Sequence, residues 1–233
     1  MTIRLRSGIA SILLLAIQSA SFAADEAETR FNFATGLLIK QEYALAADEF
    51  SALLKQHPAF KQADVARYRQ GEALQKAGND EAARQTFRQL INDHPQSDRL
   101  PQAHYWLAQL LAPDTPAEAA KHYDTIVTRW PDHQLAEAAA YGVVETRFKA
   151  QDWTGAIAAC NRLLERYPKS PHVSHALYTR GWAAFQSADW ALATNSFDLL
   201  IRQHPDSPYL REARFKTAQA LQKLGRADEA LAG

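Results

Sequence analysis

The chain has 233 residues, is 47% hydrophobic and 22% charged, and carries 26 basic and 26 acidic residues. Such neutrality excludes the basic footprint by which proteins hold nucleic acid or an anionic membrane surface. A single cysteine, Cys160, excludes an internal disulfide framework.

The first 23 residues stand apart from the rest. Arg4 and Arg6 precede an uncharged apolar run from Ile9 to Ile17, and Ser21-Phe22-Ala23 puts small residues at the −3 and −1 positions of a cleavage site. The pattern predicts a secretory signal peptide over 1–23 and a periplasmic or secreted mature protein. The apolar run is shorter than the ~20 residues of a membrane span. Residues 20–25 contain no cysteine, so a soluble mature chain without a lipid anchor is expected.

Beyond residue 24 the chain repeats. Pro58, Pro95, Pro131, Pro168 and Pro205 lie 37, 36, 37 and 37 residues apart, and each follows His57, His94, Trp130, Tyr167 or His204. A fixed period of this length means one helical unit copied along the chain. Twelve residues before each proline stands an alanine, Ala46, Ala83, Ala119, Ala156 and Ala193, with Ala230 at the next step. Four residues after these alanines come Phe50, Phe87, Tyr123, Cys160 and Phe197. That spacing places alanine and wedge on one face of a second helix, where two antiparallel helices cross closely. The first helix has its own small column, Ala34, Gly71, Ala108, Val144, Gly181 and Ala218, with Val144 the bulky exception.

Each unit therefore reads as helix A, tight turn, helix B and a proline stop. Gly78-Asn79-Asp80 marks one such turn. In the shortened third unit, Thr115-Pro116-Ala117-Glu118 predicts a capping box. Ser170-Pro171 and Ser207-Pro208 predict a serine cap with proline starting the next helix A. Five full units run from about Glu28 to Pro205, and a truncated sixth begins near Ser207. No capping helix follows, so a longer product, or another molecule covering the last repeat, is expected. The uncapped repeat also offers a surface for self-association.

The run Gly181…Ala193…Phe197…Pro205 resembles the tetratricopeptide repeat, and the resemblance covers roughly residues 28–233. Units ending Tyr-Pro-Lys-Ser-Pro or His-Pro-Asp-Ser-Pro are similar to those of bacterial envelope proteins of the outer-membrane assembly lipoprotein and Tol–Pal-associated types. The resemblance implies an all-α, right-handed α-α superhelix over 24–233. It further implies a concave helix-A groove that binds extended or helical peptides of protein partners in the cell envelope. Aromatic residues occupy one helix-A column throughout, Phe31, Tyr68, Tyr105, Tyr141, Tyr178 and Phe215. In the fifth unit His175, Tyr178, Trp182 and Phe185 form one stripe, and Phe148 is the fourth unit's equivalent of Phe185. Aromatic anchors on a rigid surface are what peptide hot spots look like. The expected partner-binding residues are Tyr68, Tyr105, Tyr141, Phe148, His175, Tyr178 and Trp182. The competing expectation is that these rings pack against the next repeat.

No catalytic motif is present, and no cofactor or metal is implied. His172 and His175 lack a third ligand in sequence. Cys160 takes the place of a core wedge, which predicts a buried, inert thiol. Two alternatives to a non-catalytic scaffold follow from the same repeats. One is the substrate-positioning arm of a longer envelope enzyme; the other is a glycan- or peptidoglycan-binding module.

Overall fold

The computed structural model describes residues 24–226, 228 and 229. The signal-peptide segment 1–23 and Ala230 lie outside these residues. Among the described residues there is no strand, and the helices are α1 (24–39), α2 (Tyr43–Gln56), α3 (Ala63–Lys76), α4 (Asp80–Asp93), α5 (Leu100–Leu111), α6 (Pro116–Arg129), α7 (Ala136–Lys149), α8 (Trp153–Arg166), α9 (Val173–Gln186), α10 (Trp190–Gln203) and α11 (Leu210–Lys223). Odd-numbered helices are the A helices and even-numbered ones the B helices. The chain divides into two compact units, one ending at Ala103 and the other beginning at His104. Within each unit, a helix packs on the one before it and the one after it, as in α2–α3–α4 and in α6 through α11.

The alanine column does what its spacing implies. Ala46, Ala83, Ala119, Ala156 and Ala193 are all fully buried, and so are the wedges Phe50, Phe87, Cys160 and Phe197. A Cβ added at Gly71 would meet the Phe87 ring at 2.6 Å, and one at Gly181 would meet the Phe197 ring at 2.6 Å. The wedge thus sits directly on the small column of helix A. Where that column carries Val144, the wedge of the same hairpin is Cys160, and both are fully buried. The two departures from the repeat coincide, a larger residue on one side against a smaller one on the other, so core volume is kept.

The A-to-B turns share a left-handed residue: Gln41, Gly78, Gln151, Ala188 and Gly225 have φ between 57° and 77°. The third hairpin is one residue shorter at this point and turns through Asp114 and Thr115 with no positive φ. Ala188, at φ 60°, carries a Cβ in a conformation that costs about 1 kcal/mol more than glycine pays. Ala188→Gly should therefore stabilise the second unit by about 0.5–1 kcal/mol, read as a rise in the urea midpoint at unchanged slope.

Helix ends differ in part from the sequence expectation. Thr115 is the N-cap of α6 with Pro116 at its first turn, but the hydroxyl donates back to Leu111 O at 3.3 Å instead of capping. Ser170 and Ser207 accept from the amides of His172 and Tyr209, at 3.2 and 3.3 Å, and so close a turn rather than a helix. Helices α9 and α11 begin three residues later, with His172 and Tyr209 as N-caps. The side-chain caps lie at the B helices instead. Asn79, Asp152 and Asp189 accept from the amides of Ala82, Gly155 and Leu192 at 3.3, 3.0 and 3.0 Å. At the B-helix ends His57, His94, Trp130, Tyr167 and His204 are the C-caps, held out of helical geometry by the proline that follows each.

Candidate partner-binding face

In the second unit the A helices present a continuous run of rings. The Tyr141 ring on α7 stacks on His172 with centroids 3.8 Å apart and planes 12° from parallel. One repeat on, Tyr178 on α9 stacks on Tyr209 at 4.5 Å and 16°. His172 and Tyr209 occupy the same place in the joint between repeats, so one contact is made twice. His175 bridges the two stacks, 5.5 Å from Tyr141 and 5.2 Å from Tyr209. Trp182 continues the run 6.0 Å from Tyr178.

Carboxylates finish these rings. The Tyr178 hydroxyl donates to Glu212 Oε2 at 2.6 Å, and burial followed by this bond raises its pKa. Burial and Glu145 push Tyr141 up to about 12. Glu145 also lies 3.3 Å from His175 Nδ1, within ion-pair range but not aligned as a hydrogen bond. Burial lowers the His175 pKa, which outweighs the opposing pull of Glu145. His172 and His175 are thereby engaged by Tyr141 and Glu145. Among the described residues no group of three or more His, Cys, Asp or Glu is placed to hold a metal ion.

Beside the stacked rings lies a groove of about 720 Å³, lined by Gln109, Glu145, Phe148, Lys149, Trp153 and Trp182 among others. Phe148 and Trp153 meet edge to face at 5.5 Å on one wall. Trp182 forms another, with Lys216 Nζ 4.6 Å above its ring. Lys149 donates to the carbonyls of Ala112 and Pro113 at 3.0 and 2.8 Å, tying α7 to the end of α5.

Of the seven residues expected from sequence, Tyr141, Phe148, His175, Tyr178 and Trp182 come together here. Tyr105 is half-buried, edge-on to Tyr123 at 5.6 Å. Tyr68 belongs to the first unit, 6.2 Å from the Phe87 ring. The outer members of the column diverge: Phe31 is buried against Phe50 and Phe60, whereas Phe215 is 60% exposed. Tyr209 and Trp153 are the parts of this face that sequence reading missed. The signal for Tyr209 was its equivalence to His172 after each Ser-Pro.

Burial pushes the Cys160 thiol up to about 12, so it stays protonated and unreactive at neutral pH. No helix among the described residues is long and apolar enough to cross a membrane. Repeated helical hairpins, each seating a helix-B wedge on the small column of helix A, define a tetratricopeptide-repeat protein, the class of protein-interaction scaffolds. More particularly, the chain belongs to the YfiO family, outer membrane lipoprotein, whose profile matches residues 108–232. A tetratricopeptide-repeat profile also matches residues 65–97.

Comparison with the curated proteins found no match. Solved structures share the fold. A tetratricopeptide repeat protein from Parabacteroides merdae ATCC 43184 is 16% identical with a TM-score of 0.61, covering 89% of this chain and 77% of its own. YrrB, described as having an unusual peptide-binding site, is 17% identical with a TM-score of 0.61, covering 79% and 90%. MamA from Desulfovibrio magneticus RS-1 is 17% identical with a TM-score of 0.57, covering 78% and 98%.

Proposed function

We propose that this protein is a non-catalytic scaffold of the bacterial cell envelope that holds protein or peptide partners on the A-helix face of its second unit. The observation that carries this reading is the groove in which Phe148, Trp153 and Trp182 converge from three helices. Large rigid rings beside an open groove bury much area at little cost in conformational entropy, as peptide anchors do. Tyr141 and Tyr178 already have one face stacked on the next repeat, so their part is to hold the face rigid. Phe148 and Trp182 are the anchors. The signal-peptide pattern over 1–23 and the match to an outer membrane lipoprotein family both support a periplasmic scaffold.

The test is photocrosslinking in the native envelope, with a photoreactive residue at Trp182 and, as a control, at the exposed Lys121 on α6. Adducts to defined partner proteins at Trp182 and not at Lys121 are expected. Equal adduct patterns at both positions would refute the groove.

A further inference from the structure

The first five hairpins each have one pair of register-equivalent positions, on helix A and helix B, whose character changes along the chain. The first hairpin has Arg30 and Glu49, an ion pair at 3.4 Å. The second has Arg67 and Thr86, the fourth Ala140 and Ala159, and the fifth Leu177 and Ser196. The third has two histidines, His104 on α5 and His122 on α6, with their Nδ1 atoms 2.9 Å apart. His104 is buried, and its ring lies 5.9 Å from that of Trp130, the C-cap of α6.

A hydrogen bond between two Nδ1 atoms needs one ring to donate and the other to accept. The contact therefore survives when both rings are neutral in opposite tautomers, or when one is protonated. A second proton removes the acceptor of this contact and sets two cations against each other across it. On His104 itself, His122 and Arg129 of α6 both act against a positive charge. The first hairpin joins the same positions by opposite charges, which no proton uptake near neutrality disturbs.

We propose that the His104–His122 pair is an acid-sensitive clasp that holds the α5–α6 hairpin closed at neutral pH and releases it when both imidazoles take up protons. Burial first, then His122 and Arg129, lower the His104 pKa to about 4 from the ordinary 6.5. The unfolded chain thus takes up this proton first as pH falls. The stability tied to a neutral His104 is fully present above pH ~6.5 and is lost progressively down to pH ~4, a drop of roughly 100- to 300-fold in the folding constant, with burial the larger share and the facing His122 the next.

The experiment transplants the fifth hairpin's pair into the third, His104→Leu with His122→Ser, and follows urea unfolding of full-length wild type and variant from pH 7.5 to 4.5. Carboxylates titrate alike in both proteins, so the difference in slope reports the two histidines in their hairpin setting. Wild type should lose at least about tenfold more of its folding constant than the variant across this range. Equal losses would overturn the clasp. Hydrogen exchange on wild type gives a second readout, which stands even if the variant fails to fold. Below pH 5 the Leu107 and Ile126 amides, corrected for intrinsic rate, should open more than those of Leu163 and Leu200. Uniform opening of all four overturns release of this hairpin.

Discussion

Phe197→Ala should lower the stability of the second unit by about 3–5 kcal/mol, seen as a fall in the urea midpoint. The ring is fully buried at the crossing of α9 and α10. It seats on Gly181, where a Cβ would stand 2.6 Å from it, and lies 6.3 Å from the Tyr178 ring. Deleting the ring leaves a cavity that glycine opposite cannot fill, so the cost is near the upper end of large-to-small changes. Gly181→Ala probes the same joint from the other side and should cost about 1–3 kcal/mol through overpacking. The loss reaches further than one hairpin. Repeats are held by their neighbours, and the core around Phe197 includes Ala213 and Ala220 of α11. Protection of α11 amides should therefore fall together with that of α10. A Phe197→Ala protein as stable as wild type would remove the wedge from its assigned role.

The contacts that repeat were legible in the sequence, because a column of identical residues is visible without knowing what it touches. Ala46 through Ala193, and the rings seated on Gly71 and Gly181, follow from period and size alone. Compensation was harder to read. Val144 and Cys160 each look like an exception until they are placed opposite one another in the same hairpin. Thr115 holds its expected N-cap position without the side-chain bond, and Ser170 and Ser207 close turns, because serine or threonine before proline satisfies the helix-start pattern and the turn pattern equally well. The aromatic column was visible, but its division of labour was not. Whether a ring is a spacer or an anchor depends on a residue one repeat away, His172 for Tyr141 and Tyr209 for Tyr178. The His104–His122 contact escaped notice for the opposite reason: it occurs in one hairpin only, and a repeat register averages single events away.

That division of labour sets the second large effect. Replacing Phe148 and Trp182 together by alanine should weaken partner capture by at least about thirtyfold, the ~2 kcal/mol expected of hot-spot rings. Both rings are half-buried, and neither is a wedge at a helix crossing. The melting temperature should consequently move by only about 3–6 °C, corresponding to roughly 1–2 kcal/mol in a unit of this size. Tyr178→Ala should behave differently. It removes a stack on Tyr209, a hydrogen bond to Glu212 and an aromatic contact with Phe197, so stability and capture should fall together. The comparison separates the two roles: anchors change binding more than folding, whereas spacers change folding at least as much. If the Phe148 and Trp182 double variant captures the crosslinked partners as well as wild type does, the groove is structural and the partner surface lies elsewhere on the repeats. If it unfolds as readily as Phe197→Ala, the two rings belong to the core and the exposed groove is not their reason for being there.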